Sequence, residues 1–309
     1  DGSAVLGLGN IGPEGALPVM EGKCQLFKEF AGIDAVPIVL GTQDTDEIVK
    51  TIKVISPGFG GINLEDISAP RCFEIEERLK HELQIPVMHD DQHGTAIIVL
   101  AGLLNALKVV GKKINKVSIV ISGAGAAGTA IATILVAAGA ESVLSADRVG
   151  ILNTNRTGIS PEKRKLAELT NKGNITGTLE DALNDADVFI GVSGPGVINA
   201  KMIQSMSEKA IVFALANPTP EIMPDIAARA GAAVIATGRS DFPNQLNNAL
   251  VFPGVFHGAL HNKVNHITEK MKLRAAYAIA RLIPRPTAQK IIPDIFDKRL
   301  VGAISRVIR

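Results

Sequence analysis

The sequence has almost no excess of charge of either sign, and this excludes several classes of partner. Its 32 Lys and Arg residues nearly balance its 31 Asp and Glu residues, and the formal net charge is +1 at pH 7. Proteins that bind nucleic acid or an acidic membrane surface through electrostatics usually carry a strong positive excess. We therefore expect neither a nucleic-acid partner nor a membrane partner.

The sequence also lacks long apolar runs and is poor in cysteine. No uninterrupted apolar run reaches the roughly 20 residues that a transmembrane helix needs, and no signal-peptide pattern opens the chain. The two cysteines, Cys24 and Cys72, have no metal-binding or redox spacing. We interpret them as free thiols, which indicates a cytoplasmic protein.

Aromatic residues are scarce as well, with no tryptophan and one tyrosine. Hydrophobic residues still make up 46% of the 309 residues and charged residues 20%, which is typical of a globular protein. A chain of this length forms one large or two medium domains, each able to bury a core.

The second half of the chain alternates short apolar segments with helical patterns. The predicted strands are 116–122, 141–147, 187–192, 210–216 and 232–236. Short buried strands that are separated by helices indicate a parallel sheet covered on both faces. We therefore predict an α/β fold with a Rossmann-type, doubly wound parallel sheet.

A different pattern precedes this sheet. The predicted strands there are 36–40 and 61–64, and the predicted helices are 24–30 and 70–83. These elements indicate a partial α/β substrate and metal domain, connected to the sheet by a long apolar helix at 94–110. We place the first domain at 1–88 and the dinucleotide-binding domain, with its C-terminal helices, at 89–309.

The chain opens on a glycine-rich segment. Residues 3–9 have the pattern of a strand that enters a turn, so we expect further residues to precede Asp1. A G-x-G-x-x-G motif at 7–12 is followed by Pro13 and Pro18, which oppose a regular long helix. We therefore interpret this motif as a structural or substrate-side turn.

A second motif of the same form lies between a predicted strand and a predicted helix. It consists of Gly123, Ala124, Gly125, Ala126, Ala127 and Gly128. Such glycines permit a tight turn, close approach of the backbone to a pyrophosphate and close packing of the helix on the strand. Asp147 closes the next strand, where an acid would bind the ribose hydroxyls of NAD, whereas Arg148 beside it could accept the 2′-phosphate of NADP. The sequence does not decide between NAD and NADP as the cofactor, and NAD is favoured.

Two acidic pairs follow apolar segments. Glu65 and Asp66 come at the end of a predicted strand, and Asp90 and Asp91 follow another short apolar run. Parallel α/β folds bind their ligands at the carboxyl ends of strands. Sets of oxygen ligands favour Mg²⁺ or Mn²⁺ over zinc. The alternative interpretation is that either pair is solvated surface charge.

Other candidates are isolated polar residues. A lysine that acts as a general base must be desolvated and close to other charges, and the sequence alone does not distinguish Lys23 from the other lysines in this respect. His257 and His261 share a helix face without a third metal ligand, so we interpret them as capping or packing residues. Asn217 and Asn248 are either turn residues or amides of a binding cleft.

Several separate motifs together resemble the malic enzymes, and in particular their small bacterial and archaeal branch. They are D-G-S-A-V-L-G-L-G-N-I-G at 1–12, G-K at 22–23, L-E-D-I at 64–67, H-D-D-Q-H-G-T-A at 89–96, A-N-P-T at 216–219, N-N at 247–248 and F-P-G at 252–254. The match covers almost the whole chain in order. The resemblance is therefore more specific than the glycine motif alone.

This resemblance implies oxidative decarboxylation of L-malate to pyruvate and CO₂, with NAD(P)⁺ and Mg²⁺ or Mn²⁺ as cofactors. The metal ligands would be Glu65, Asp66 and Asp91. Lys23 would be the general base, with Asp90 beside it to orient the ammonium. Asn217 and Asn248 would bind the substrate carboxylates, and Asn217 also lies in the dinucleotide region. The family is typically a homodimer or a larger homo-oligomer.

Two parts of the family pattern are not evident. The family's general acid is a tyrosine in an N-terminal motif that would precede Asp1, and we interpret Tyr277, the one tyrosine here, as a packing residue. The family's substrate-binding arginine near the first glycine turn is also not evident, since Ser3 occupies that neighbourhood. The resemblance thus assigns neither the acid nor this cation within the chain.

Three alternatives use some of the same residues. A metal-free amino-acid dehydrogenase would also have a substrate domain, a dinucleotide domain and a catalytic lysine, but it leaves the acidic pairs without a shared purpose. A malolactic enzyme would convert malate to lactate and retain its cofactor. A non-catalytic dinucleotide-binding module would need only the second glycine motif.

Overall fold

The computed structural model describes residues 1–5 and 7–309, and Leu6, part of the predicted first strand, lies outside the described residues. The chain folds into two compact units, each with its own sheet. The first unit contains Asp1–Ile98, Asn248–Leu282 and Pro293–Arg309, and the second contains Val99–Asn247 and Ile283–Ile292.

The first unit starts with helices and a small sheet. Its elements are α1 (Gly12–Ala31), α2 (Thr45–Ile55), β1 (Ile62–Leu64), α3 (Arg71–Glu82), β2 (Val87–His89) and the start of α4 (Asp90–Val110), which continues into the second unit. Strands β1 and β2 pair in parallel, with Leu64 opposite His89. The residues that follow the two strands therefore emerge at the same edge of the sheet.

Helix α1 begins directly after the first glycine turn, so the expectation that the prolines oppose a long helix here is wrong. Pro13 lies in the first turn, where a helix needs no N–H from it and where its fixed φ fits. Pro18 lies inside the helix, which nevertheless continues for 20 residues. The N–H groups of Ile11 and Gly12 donate to the carbonyl oxygen of Gly2 and so hold the preceding turn.

Two predicted strands of the first unit do not form. In the segment 3–9, the described residues make only an isolated antiparallel bridge between Val5 and Gly9. Residues 36–40 carry the alternating pattern of a strand, yet they have no regular structure and pair with no strand of the described residues. The pattern of side chains was suitable, but a strand also needs a hydrogen-bonding partner.

The second unit contains the large sheet. Its elements are β3 (Ser118–Ser122), α5 (Ala126–Ala137), β4 (Ser142–Asp147), β5 (Gly150–Ile151), α6 (Pro161–Thr170), α7 (Leu179–Leu183), β6 (Val188–Gly191), α8 (Ala200–Gln204), β7 (Ile211–Ala214), α9 (Pro224–Arg229) and β8 (Val234–Thr237). The strand order is β5-β4-β3-β6-β7-β8, and only β5 is antiparallel. The predicted α/β class with a doubly wound parallel sheet is confirmed.

The order of the strands defines where ligands should bind to this sheet. From β3 the chain moves outward to β4 and β5, then returns to place β6 on the other side of β3. Doubly wound sheets bind ligands outside the carboxyl ends of the strands at such a reversal. The ends of β3 and β6 are therefore the expected position for a dinucleotide.

The C-terminal helices belong to the first unit. They are α10 (Phe252–His261), α11 (Glu269–Arg281) and α12 (Leu300–Ser305). Phe27 of α1 packs edge-on against Phe252 and Phe256 of α10, with ring centroids 4.7 and 5.6 Å away. This division differs from the boundary proposed at residue 88, because local hydrophobic patterns predict a helix without indicating which unit buries its apolar face.

Helix α4 is the one helix of residues 1–5 and 7–309 that is long and apolar enough to cross a membrane by length and composition. Of its most apolar 18-residue window, 72% is buried inside the protein. A helix that is apolar on all sides is also typical of a protein core. The burial of α4 identifies it as a core helix.

Close contact between α10 and α12 gives a testable prediction about stability. A Cβ atom at Gly258 would lie 2.8 Å from Ile308 and 2.9 Å from the backbone of Ser305. We expect Gly258→Ala to lower the free energy of unfolding by about 1–3 kcal/mol, since overpacking forces the helices apart. Chemical denaturation measures the change.

Gly302 on α12 provides the matched control. A Cβ atom there would meet no heavy atom within 4 Å. Gly302→Ala should leave stability unchanged or raise it by up to about 1 kcal/mol, because alanine favours the helix. Equal destabilisation by both substitutions would contradict the packing argument.

Candidate active site

The ends of β1 and β2 bring the two acidic pairs together. Glu65 directly follows β1, Asp90 directly follows β2, and the last residues of the two strands are register partners. Glu65, Asp66 and Asp90 are all buried. Buried carboxylates require compensating partners, so this edge of the sheet is not ordinary solvated surface.

A left-handed backbone at Asp66 allows both members of the first pair to face the same place. Successive side chains of a strand point to opposite faces, but Asp66 has a φ of 54°, which breaks this alternation and which Asp tolerates better than most residues. The N–H of Asp66 donates to Asp91 Oδ2 at 2.9 Å, and its carbonyl accepts from Ser3 N at 3.1 Å. These two bonds hold the turn.

Three of the four acids form a cluster suitable for a cation. One carboxylate oxygen each from Glu65, Asp66 and Asp91 lies within 4.8 Å of the other two. Oδ2 of Asp66 is buried and has no hydrogen-bond partner among the described residues. Oxygen ligands at this spacing fit a hard divalent cation such as Mg²⁺ or Mn²⁺.

Asp90, the fourth acid, is not part of this cluster and forms an ion pair with Lys23. Lys23 Nζ lies 2.7 Å from Asp90 Oδ2, 3.0 Å from Glu65 Oε1 and 3.3 Å from Asn248 Oδ1. Its ammonium also lies 4.5 Å from the centre of the Phe252 ring. Only 15% of the lysine side chain is exposed. Lys23 is therefore desolvated and paired with charges, two properties that the sequence alone could not assign to it.

The side chain of Asp90 fits because residue 94 has no side chain. Asp90 is the first residue of α4, and a Cβ atom at Gly94, one turn later, would overlap Asp90 Oδ1. Any larger residue at position 94 would displace this carboxylate. Gly94 thus allows Asp90 to point back towards Lys23.

The charges of the cluster strongly affect one another. Burial raises the pKa of Glu65, Asp66 and Asp90 to about 7 and that of Asp91 to about 6, and repulsion among the acids contributes in the same direction. Burial alone would lower the pKa of Lys23, but the carboxylates around it outweigh this effect and raise its pKa. Four acids beside one ammonium favour the binding of a further cation.

The sequence analysis missed Asn63, which orients Glu65. The side-chain amide of Asn63 donates to Glu65 Oε2 at 3.2 Å, while Lys23 contacts Oε1 of the same carboxylate. Both oxygens of Glu65 are thereby held. Asn63 lies on β1, two residues before Glu65. Residues at this spacing point to the same face of a strand, and this is the one sequence signal that could have identified Asn63.

A second missed residue, Glu76 of α3, supports the start of α4. Its carboxylate accepts from the backbone N–H of His89 at 2.9 Å and lies 2.9 Å from His93 Nε2 and 2.9 Å from Lys80 Nζ. Burial by itself would raise the pKa of Glu76, but His93 and the lysines Lys80 and Lys272 hold it well below its usual range. Glu76 therefore anchors both sides of the Asp90–Asp91 pair.

The tautomer of His93 follows from its other neighbour. Lys272 of α11, which is 2% exposed, lies 2.9 Å from His93 Nδ1. An ammonium only donates, so Nδ1 accepts and Nε2 carries the proton that it donates to Glu76. Burial lowers the pKa of His93 to about 4, which keeps the ring neutral at pH 7.

A cavity of about 230 Å³ lies beside this cluster in the first unit. Lys23, Glu65 and Asp66 are among its lining residues, together with apolar side chains that include Met20, Phe27, Ile33, Val36, Ile48 and Phe59. A small concave space with a few convergent polar groups is typical of a small-molecule site.

In the second unit, the predicted glycine motif lies at the end of β3. A Cβ atom at Gly128 would overlap the carbonyl oxygen of Gly123, and one at Gly125 would meet no heavy atom within 4 Å. Helix α5 then begins at Ala126 with no side chain capping its N-terminus. Close packing behind the loop and free N–H groups in front of it fit a pyrophosphate.

Asp147 ends β4 and is held by two cations. Arg156 donates to its two oxygens at 3.0 and 3.1 Å, and Lys163 Nζ donates to Oδ2 at 2.7 Å. Burial opposes ionisation, but these hydrogen bonds lower the pKa of Asp147 to about 2. Arg148, named from the sequence as the possible phosphate-binding residue, is exposed. The sequence analysis missed Arg156 and Lys163 because the segment between β5 and α6 has no regular pattern from which their contacts with Asp147 could be predicted.

The remaining sequence candidates are distributed between the two units. Asn217 follows β7 in the second unit, where its amide occupies the space that a Cβ atom at Gly238 would need. Asn248 lies beside Lys23 in the first unit. Tyr277, on α11, is 38% exposed and so is not a core residue. His257 bonds Ser305 Oγ at 2.9 Å, which agrees with a packing role.

Comparison with known proteins identifies the family. Residues 1–80 match the sequence model of the malic enzyme N-terminal domain, and residues 92–305 match that of the malic enzyme NAD binding domain. The chain belongs to the malic enzyme family. The resemblance stated from the sequence motifs is thereby confirmed.

Individual malic enzymes are similar over the whole chain. A bifunctional malic/malolactic enzyme of Bacillus subtilis and an NAD-dependent malic enzyme of Geobacillus stearothermophilus are each 54% identical, with all of this chain covered and 76% and 65% of the relatives. The crystal structure of an NAD-dependent malic enzyme from Thermotoga maritima has a TM-score of 0.97 at 51% identity, and the chain covers 82% of it. This malic enzyme family member thus spans between 65% and 82% of the length of those proteins.

The Glu76 network gives a prediction about pH and stability. A carboxylate whose pKa is lowered by folding stabilises the protein above its unfolded pKa, near 4.5, and this contribution is lost as the pH falls. We expect Glu76→Gln to cost about 2–3 kcal/mol of unfolding free energy at pH 7. The difference from wild type should shrink as the pH falls below about 4.5.

Urea unfolding at several pH values tests this prediction. Glu77→Gln is the matched control, since Glu77 lies on the same helix, is exposed and pairs with His81 at the surface. That variant should change stability by less than about 0.5 kcal/mol. A pH-independent effect at Glu76 would contradict the charged network.

Proposed function

We propose that this chain catalyses the oxidative decarboxylation of L-malate to pyruvate and CO₂, with NAD⁺ or NADP⁺ and a divalent cation. The observation that carries the proposal is the pairing of Lys23 with Asp90 beside the cluster of Glu65, Asp66 and Asp91. A buried lysine next to a set of oxygen ligands suits proton abstraction from a hydroxyl whose oxygen is polarised.

The residues of the cluster in the first unit would have separate roles in the reaction. Lys23 removes the proton from the C2 hydroxyl as C2 is oxidised to a carbonyl, and Asp90 holds the ammonium in position. Glu65, Asp66 and Asp91 would hold the divalent cation. The C3–C4 bond then breaks and CO₂ leaves, and the electron pair passes to the pyruvate fragment as an enolate, which takes up a proton at C3 to give pyruvate. Asn248, which contacts Lys23, would bind a substrate carboxylate.

The second unit would hold the dinucleotide. The backbone at Gly123, Gly125, Ala126, Ala127 and Gly128 would bind its pyrophosphate. Asp147 would bind the adenosine ribose, with Arg148 close by, and Asn217 would bind nicotinamide or substrate. When bound, the nicotinamide accepts hydride, while the divalent cation polarises the substrate oxygens and offsets the negative charge that raises the pKa of Lys23.

A malolactic activity is a second candidate, because the Bacillus subtilis relative at 54% identity is named a bifunctional malic/malolactic enzyme. It would use the same lysine and carboxylates, with pyruvate reduced to lactate before release. We also propose that the protein is cytoplasmic and forms a homodimer or a larger homo-oligomer, as the family resemblance suggests.

Substitution of Lys23 tests its proposed role. Lys23→Met keeps most of the side-chain volume but removes the base, so malate-dependent NAD(P)H formation at 340 nm should fall by about 10²–10⁴-fold. Because an ammonium next to the three acids is lost, Mn²⁺ binding should be preserved or tightened. Electron paramagnetic resonance of free Mn²⁺ measures the binding.

The control for Lys23 is Lys28→Met. Lys28 lies on the same helix, is exposed and pairs with Asp34 at the surface, and its loss should leave turnover within about twofold of wild type. Removal of divalent metal with a chelator should abolish the wild-type activity. Turnover that survives chelation would favour the metal-free amino-acid dehydrogenase, whereas lactate without net NAD(P)H would favour the malolactic reaction.

Substitution of Asp147 tests how the cofactor is chosen. Asp147→Asn removes a negative charge that repels a 2′-phosphate, and it frees Arg156 and Lys163 to attract one. We expect the ratio of kcat/KM for NADP⁺ to that for NAD⁺ to rise at least about tenfold. Asp241→Asn, which breaks an exposed pair with Arg239 in the same unit, should leave the ratio unchanged. An unchanged ratio in Asp147→Asn would refute the assignment.

A further inference from the structure

Glu221 is a buried carboxylate that the proposed mechanism does not use. It is 0% exposed and has no ion pair with any described residue. It lies between β7 and α9 in the second unit, shortly after the A-N-P-T motif. A charge buried without a counter-ion must be compensated by hydrogen bonds, and the positions of those bonds indicate its role.

The hydrogen bonds of Glu221 join the loops that follow two neighbouring strands. Oε1 accepts from the backbone N–H of Ser193 at 2.8 Å, two residues after β6. Oε2 accepts from the backbone N–H of Ala216 at 3.0 Å, two residues after β7. Each oxygen therefore fixes one loop at the carboxyl edge of the sheet.

Ser193 extends this connection to the central strand. Its hydroxyl lies 3.4 Å from Glu221 Oε1 and 3.0 Å from the hydroxyl of Ser122, the last residue of β3. The ends of β3, β6 and β7 are thus linked through one side chain. They include the pair of strands between which the order of the sheet reverses.

The sheet is shaped to admit this carboxylate. A Cβ atom at Gly191, the last residue of β6, would overlap the side chain of Glu221. Glu221 therefore passes directly over the end of β6, where a larger residue would exclude it. Its place between the two loops depends on this glycine.

The loop that Glu221 holds is also the wall behind the glycine motif. A Cβ atom at Gly123 would lie 2.6 Å from the carbonyl oxygen of Val192, and one at Gly128 would lie 3.5 Å from Val192 Cγ2. Val192 directly precedes Ser193. A shift of Ser193 would therefore move the surface on which the glycine loop rests.

We propose that Glu221 is a positioning residue for the dinucleotide, which holds the loops after β6 and β7 so that the glycine loop keeps its binding conformation. This inference rests on the proposed dinucleotide site. Glu221 would touch neither the cofactor nor the substrate, and it would act through Ser193, Val192 and Ala216. Its loss should weaken dinucleotide binding while leaving the metal and lysine cluster of the first unit unaffected.

The test uses Glu221→Gln and measures the binding of NADH and NADPH. The carbonyl oxygen of the glutamine still accepts from one backbone N–H, but its NH₂ group cannot accept from the other, so one loop loses its anchor and the Kd should rise about tenfold. Nucleotide fluorescence reports the binding without interference, since the chain has no tryptophan. In turnover, KM for the dinucleotide should rise while the Kd for Mn²⁺ stays within twofold.

Asp187→Asn is the matched control for a general loss of stability. Asp187 directly precedes β6, and at the amino ends of β3 and β6 it accepts from the backbone N–H of Ser118 at 2.8 Å and from Lys112 at 2.6 Å. Its loss should lower thermal stability as Glu221→Gln does, but it should leave dinucleotide affinity unchanged. Ser193→Ala, which keeps the backbone bond and removes the hydroxyl link, should raise the Kd by a smaller factor.

The possible outcomes separate the inference from the proposed function. If wild type binds neither NADH nor NADPH, the dinucleotide site itself is refuted and the inference falls with it. If wild type binds and Glu221→Gln binds equally well, only the role of Glu221 is refuted. Should Glu221→Gln fail to fold, Ser193→Ala decides, and an unchanged Kd in that variant overturns the inference. A Kd raised equally by Asp187→Asn would also overturn it.

Discussion

The ion pair between Lys23 and Asp90 is the interaction on which the arrangement of the first unit depends. Removing a carboxylate and an ammonium from water is costly, and the cost is offset only when each has a close partner. Lys23 comes from α1, Asp90 from the start of α4, Glu65 from the end of β1 and Asn248 from the segment before α10. Four segments that are distant in sequence therefore have to meet around one nitrogen atom.

The parallel register of β1 and β2 explains why the two acidic pairs are not equivalent. Because Leu64 and His89 are opposite each other, all four acids emerge at one edge, but the backbone then separates their directions. After β1 the left-handed backbone of Asp66 turns its side chain towards the same place as that of Glu65. After β2 a helix begins, in which successive side chains diverge by about 100°, so that Asp90 and Asp91 reach different partners.

The parts of this protein that could be predicted are those with a local signal. The doubly wound sheet follows from short apolar strands between helices, and the glycine loop follows from a motif between a strand and a helix. The start of α1 was missed because a proline opposes a helix interior but not its first turn. Glu76 and Lys272 were missed because their partners His89 and His93 come close only when α3 and α11 pack. No periodicity within one segment encodes the contact of Lys272 with His93, 179 residues away.

Both units place a buried carboxylate where parallel strands end, and the partner of that carboxylate determines what it can do. Asp90 faces an ammonium, so the pair can hold and release a proton, and neighbouring acids tune the lysine. Glu221 faces only N–H and O–H groups, which cannot exchange a charge with it, so its contribution is geometric. The same side-chain chemistry at the ends of strands thus suits the proposed proton transfer in one unit and the proposed positioning role in the other. A carboxylate buried at a strand end is therefore evidence of function only together with the groups that compensate its charge.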